Sequence, residues 1–303
     1  MDWNKLLSTK RLGMEGWTSS NKAEDRTQFQ RDYDRIIFSS PFRRMQNKTQ
    51  VFPLPEHIFV HNRLTHSLEV ASVGRSLGNL LSEKLIAEYS GNSFISEIGT
   101  IVSTSCLAHD LGNPPFGHSG EAAISNFFLK GAGREFENPL SEGEWKDFTH
   151  FDGNANAFRL LTHQFNGKRP GGFALTYSTL AGIVKYPFES VWAKKPKFGF
   201  FQSEKGDYKK IANELQIDAR LENPESFVRH PLVYLVEAAD DICYQVMDLE
   251  DAFKLGILSF DQTKDLYLGF YDSEQDKKSL LSIEKTMKKV SDKMNKSAIY
   301  GLE

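Results

Sequence analysis

The sequence predicts an all-α protein, a helical bundle with long surface loops, on three observations. Apolar residues recur at helical spacing along most of its 303 residues. Alternating β-branched runs, which would mark half-buried strands, are almost absent. The periodic segments also stop on residues that end helices, such as Gly112-Asn113-Pro114-Pro115, Pro187 and Gly256.

Taken in order, Asn62–Leu81 reads as a helix, with Leu64, Leu68 and Ala71 beside a second row of His66, Val70, Val73 and Leu77. Ile98–Leu111 is the next and ends at Gly112. A third begins near Ser119 and runs through Ile124, Phe127 and Phe128. A fourth spans roughly Asn154–Phe165, and a fifth covers Leu175–Val184. The longest, Pro231–Leu255, has proline at its start and Gly256 at its end, the usual asymmetry of helix termini. Residues 131–149 and 187–207, rich in Gly, Pro and charge, read as long loops. In the tail, Leu280, Ile283, Met287, Val290 and Met294 form an apolar stripe of helical period on an otherwise lysine-rich segment.

Composition bounds the class without naming a chemistry. With 40% hydrophobic and 25% charged residues, the chain is globular rather than disordered or fibrous. No apolar run approaches a membrane span, and residues 1–5 do not open a secretory signal. Two cysteines, Cys106 and Cys243, cannot build a disulfide framework; they read as small buried packing residues and suit a reducing, cytoplasmic setting. A net charge of −3 excludes a global polyanion footprint.

Chemistry concentrates on three of these helices. His66 shares an apolar row; His109 lies in a row with Ile98, Val102 and Ser105, with Asp110 beside it; Asp240 shares a row with Val233, Val236 and Tyr244. A carboxylate turned inward requires a cation, because an unpaired buried charge is expensive. Two imidazoles and two carboxylates converging there would suit a borderline divalent ion such as Mn, Fe, Ni, Co or Zn, and Mg less naturally. The same spacing also describes hydrogen-bonded core residues, and the pattern alone does not choose.

The order His66, His109-Asp110, Asp240 resembles the HD-domain metal-dependent phosphohydrolase superfamily. Longer strings, Pro41–Phe52, Asn62–Ser67, His109–Glu121 and Glu237–Tyr244, resemble its dGTP triphosphohydrolase (dGTPase) family, over about residues 31–256. The resemblance implies an HD helical bundle that hydrolyses dGTP to deoxyguanosine and triphosphate. One divalent metal (Mn, Mg or another transition metal) would sit on His66, His109, Asp110 and Asp240. It implies a catalytic pair, His118 and Glu121, with His118 either positioning water or protonating the leaving deoxyribose oxygen. It implies substrate contacts at Gln50 and Val51 (deoxyribose and base), Arg63 and Lys185 (phosphate), Asn154 (a polar pocket residue), Tyr244 (packed against C2′) and Asp248 (bonded to the 3′-hydroxyl). Its partners would be dGTP or another dNTP and further copies in a hexamer or tetramer, with single-stranded DNA on the lysine-rich tail as a further expectation and no membrane.

Two departures stand out. Related proteins often carry His where Gly153 stands, and the family usually continues into a C-terminal region that contributes an arginine to the pocket; nothing after Gly256 resembles it. The expected organisation is an N-terminal segment 1–30, a catalytic domain 31–256 and a C-terminal helical segment 257–303 that begins a longer region. The rival readings are another HD phosphohydrolase, such as a nucleotidase or phosphodiesterase, and a nucleic-acid-binding HD protein without turnover.

Overall fold

The computed structural model describes all residues except 1, 17–24, 54–59, 168, 222, 272–275, 277, 280, 283–284, 287 and 290–303. Among the described residues it has twelve α-helices and a single two-stranded hairpin, so the all-α class holds. Two compact units divide the chain, residues 1–245 and 246–303.

In the first unit, α1 (Trp3–Leu6) leads to α2 (Gln28–Ile37), which starts on a Thr27–Gln30 capping box. Asp32 of α2 is fully buried and takes Arg11 Nη1 at 2.6 Å, Thr176 Oγ1 at 2.6 Å and the Thr176 amide at 2.9 Å. That one carboxylate ties three distant stretches of chain together, with each of its oxygens hydrogen-bonded.

After α3 (Ser40–Arg44) comes α4 (Arg63–Ile86), started by Asn62, whose side chain accepts the Thr65 amide. The buried row of α4 is Arg63, His66, Ser67, Val70, Ala71, Gly74, Gly78 and Ser82. Leu68, expected inside, is 44% exposed, because the side facing α5 (Ile98–Ala108) is the one with small residues. A Cβ on Gly78 would lie 2.7 Å from the Gly99 Cα, so the backbones approach where neither helix has a side chain. Every residue of α5 except Thr100 is buried. It is the central helix, and its C-terminus delivers His109 and Asp110.

The span 131–149 is not a plain loop. After α6 (Gly117–Lys130) it makes a 3-10 turn at Ala132–Phe136 and then α7 (Glu142–Thr149), which starts on a Ser141–Glu144 capping box. Its charged surface residues hid the period, while Trp145 and Phe148 pack on Phe128. Next come α8 (Gly153–Thr162) and α9 (Tyr177–Ile183), capped by Asp152 and Thr176. The 187–207 span holds two 3-10 turns and enters α10 (Lys205–Glu214), which the periodicity did not predict. Strands β1 (Ala219–Arg220) and β2 (Asn223–Phe227) pair antiparallel.

Helix α11 (Leu232–Lys254) carries Asp240 and runs on into the second unit. That unit also contains α12 (Phe260–Leu268), capped by Ser259, with Tyr267 Oη donating to the Val246 carbonyl at 3.0 Å. The apolar stripe expected in the tail falls on residues outside those described. No helix among the described residues is long and apolar enough to cross a membrane.

Candidate metal centre

Helices α4, α5 and α11 bring His66, His109 and Asp240 together. One ligand atom from each lies within 4.8 Å of the others. Asp240 Oδ1 is 3.0 Å from His66 Nε2 and 3.5 Å from His109 Nε2, and the two rings meet edge to face at 5.3 Å. His109 Nδ1 is 2.6 Å from the Cys106 carbonyl, so that nitrogen carries the proton and turns Nε2 toward the carboxylates. His109 Nε2 is buried and makes no hydrogen bond. A buried imidazole nitrogen without a partner, facing a carboxylate and a second imidazole, is a donor set suited to a borderline divalent cation. Neighbouring Asp241 is exposed.

The charges in this cluster depend on one another. Burial disfavours ionisation of Asp240, but the neighbouring His109 and His66 imidazoles outweigh it and hold the carboxyl well below its usual range. Burial likewise works against a charged His109, yet Asp110 and Asp240 lift it to about 9. Asp110 is also lowered: burial opposes this, and His109, Arg63 and His66 prevail.

Asp110 stands at the edge of the cluster, its Oδ1 3.7 Å from His109 Nε2. Its carboxylate is held by Arg63 Nη1 and Asn113 Nδ2. Arg63, expected as a phosphate contact, is here a buried partner of Asp110, and its Nε has no acceptor. Lys48, which the sequence reading did not single out, donates to the Leu111 carbonyl at 3.2 Å; burial first, then Arg63, pushes its ammonium down.

The second pair forms where α6 begins. Phe116 has a left-handed backbone (φ 65) and Gly117 follows at φ 53, where a Cβ would lie 2.8 Å from Arg63 Nη2. This tight entry presents His118, whose side chain is 85% exposed, with Nδ1 2.8 Å from Glu121 Oε2. The buried Glu121 also accepts the Gly153 amide on Oε1 at 2.8 Å. Lys197 reaches the same carboxylate from the 187–207 span, its Nζ 3.5 Å from Glu121 Oε2 and 3.5 Å from Asp152 Oδ1. No periodic or family signal marked Lys197; a lysine in a charged loop string carries none.

The remaining expected contacts are placed unevenly. Gln50 has a buried Oε1 without a partner, whereas Val51 and Tyr244 are exposed. Asn154 is engaged with Asp152 through its amide and its Nδ2, and Lys185 pairs with Glu237 at 2.9 Å. Asp248 belongs to the second unit. A Cβ on Gly153 would lie 2.0 Å from Asn113 Oδ1, the side chain that holds Asp110. Cys106 and Cys243 are buried and free; burial pushes the Cys106 thiol well up and the Cys243 thiol to about 11, so both are neutral.

Residues 63–221 match the model of the HD domain. A deoxyguanosinetriphosphate triphosphohydrolase-like protein of Pseudomonas aeruginosa is 48% identical over 281 residues, covering 89% of this chain and 61% of the relative. A protein of the same name from Synechocystis is 44% identical, covering 88% and 63%. The deoxyguanosinetriphosphate triphosphohydrolase of Yersinia enterocolitica is 36% identical, covering 88% and 57%. The chain thus spans about three fifths of the length of these curated relatives. With the HD-domain match over more than half its length and the histidine–aspartate cluster on its central helices, the chain belongs to the HD-domain family.

Proposed function

We propose that this chain carries the catalytic body of a metal-dependent dNTP triphosphohydrolase that converts dGTP and water to deoxyguanosine and triphosphate. The observation that carries the reading is the convergence of His66, His109 and Asp240 in a chain whose relatives include a protein named for that reaction.

His66, His109 and Asp240 would hold the metal, with Asp110 as the fourth ligand once it exchanges Arg63 for the ion. The metal, when bound, supplies a Lewis acid for the α-phosphate and a template for the attacking water. Arg63 lies beside Asp110 as a phosphate partner, with an unbonded Nε to offer. Glu121 fixes the His118 ring through Nδ1, so Nε2 is the nitrogen left to act. We assign His118 the role of protonating the departing 5′ oxygen. Gln50, Val51, Asn154, Lys185 and Tyr244 are proposed around the sugar, base and phosphates. A sugar pocket that accepts a 3′-hydroxyl and excludes a 2′-hydroxyl discriminates better than apolar fit alone. We place the protein in the cytoplasm and in a homo-oligomer.

Chromatography of products from a panel of dNTPs with Mn and with Mg tests the reading. Deoxynucleoside and intact triphosphate support it; orthophosphate or pyrophosphate would reject it in favour of another HD phosphohydrolase. No turnover of any dNTP, with salt-sensitive binding to single strands, would favour a nucleic-acid-binding module.

A further inference from the structure

A second cationic feature shares no residue with the metal centre. A recess of about 440 Å³ on the outer side of α2 is lined by Met14, Arg26, Arg31, Asp34, Arg35 and Arg169. Among the described residues, four guanidiniums and one carboxylate line it, in a chain whose overall charge is −3. Asp34 is already paired with Arg26 at 2.9 Å, and Arg169 touches only the Met14 sulfur, at 3.7 Å, among its described side-chain bonds.

Arg35, one of the lining residues, is anchored on strained backbone. Ala174 is buried with φ 48, a conformation that costs a non-glycine residue about 1–3 kcal/mol and persists only where its surroundings require it. The strain aims the Ala174 carbonyl at two guanidiniums: Arg11 Nη1 donates to it at 2.6 Å, and Arg35 Nη1 donates to it and to the Phe173 carbonyl at 2.8 Å. Two cations thus converge on one neutral oxygen. Arg11 has Asp32 as its ion-pair partner; Arg35 uses only Nη1, so its Nε and Nη2 donate to nothing among the described residues. The crowding also shows in the Arg35 guanidinium, pushed down to about 10 by burial and by Arg11, with Asp32 opposing and Arg169 and Arg31 adding.

We propose that this recess is a binding site for a small polyphosphate anion, either inorganic or the phosphate chain of a nucleotide. Planar guanidinium forks match phosphoryl oxygens in pairs, and several forks around one opening suit a chain with several negative charges better than a lone carboxylate. The volume lies within the roughly 300–1,000 Å³ range of small-molecule sites. The inference does not rest on the proposed reaction.

Calorimetric titration of the full chain in EDTA with inorganic triphosphate, dGTP and ATP tests the site without a metal. Arg31→Gln/Arg169→Gln is the test variant, with circular dichroism and melting temperature as fold controls, and Arg35→Lys keeps charge but removes a fork. We expect saturable triphosphate binding that weakens about tenfold or more in the double variant and less in Arg35→Lys. Equal affinity for triphosphate and the nucleotides supports recognition of the chain alone; tighter binding of either nucleotide supports a nucleotide as the source. Undiminished binding in the folded double variant would overturn the proposal, as would absence of triphosphate binding by the parent protein. Variant-sensitive binding of a single-stranded oligonucleotide without triphosphate binding would also overturn it.

Discussion

The Glu121 carboxylate lies 2.8 Å from His118 Nδ1, and the imidazole it holds is otherwise largely in solvent. A ring tethered at one nitrogen and exposed at the other is placed to exchange a proton with a bound substrate. Replacing His118 with Ala should therefore lower kcat by about a hundredfold or more while leaving bound metal unchanged. Steady-state kinetics beside metal analysis checks this, and an unchanged kcat would reject the assignment.

Lys197 shares the Glu121 oxygen that meets His118. We expect Lys197→Met to reduce kcat several-fold with little change in KM, because the carboxylate loses one of its anchors, and Lys197→Arg to restore most of the loss. Equal kinetics in Met and Arg variants would give Lys197 no positioning role.

Gly117 has φ 53 and leaves no room for a Cβ beside Arg63 Nη2. Gly117→Ala should cost about 1–3 kcal/mol of stability and disturb the Arg63–Asp110 pair. Urea denaturation measures the first; a stability equal to that of the parent protein would contradict the backbone argument.

Asp147 accepts Ser190 Oγ and the Gln202 amide, yet burial, with Glu204 and Glu189 nearby, raises its carboxyl to about 7 against these bonds. The folded protein thus holds this proton more tightly than the unfolded chain, whose carboxyl titrates near 3.8. Its contribution to stability is full below that value and is lost as pH rises toward about 7. Relative to Asp147→Asn, the parent protein should lose stability across that interval, at up to about 1.4 kcal/mol per pH unit. Parallel pH–stability curves would contradict the shift.

How much of this was legible in the sequence follows from what each residue touches. His66 and Asp240 were readable because each interrupts an apolar row, and a polar residue there needs a partner. The buried side of α4 was harder to read, since Gly74, Gly78 and Ser82 carry it and small residues weigh little in a hydrophobic period. Helix α7 was hidden because few of its residues are buried, and α10 because its apolar positions are outnumbered by lysine, aspartate and glutamate. The resemblance offered Arg63 as a phosphate contact; only the fold brings Asp110, 47 positions later, to its guanidinium. Lys197 depended on a long-range meeting with Glu121, 76 positions earlier, which no local pattern encodes.

The central claim is that Asp240, held between His66 and His109, completes a metal centre on which turnover depends. Metal content by mass spectrometry, measured beside dGTP hydrolysis for the parent chain and for Asp240→Ala, tests it most directly. The account predicts about one bound divalent ion and triphosphate release in the parent, with both lost in the variant. Retained metal with full turnover in Asp240→Ala would contradict it and move the role to Asp241 or elsewhere.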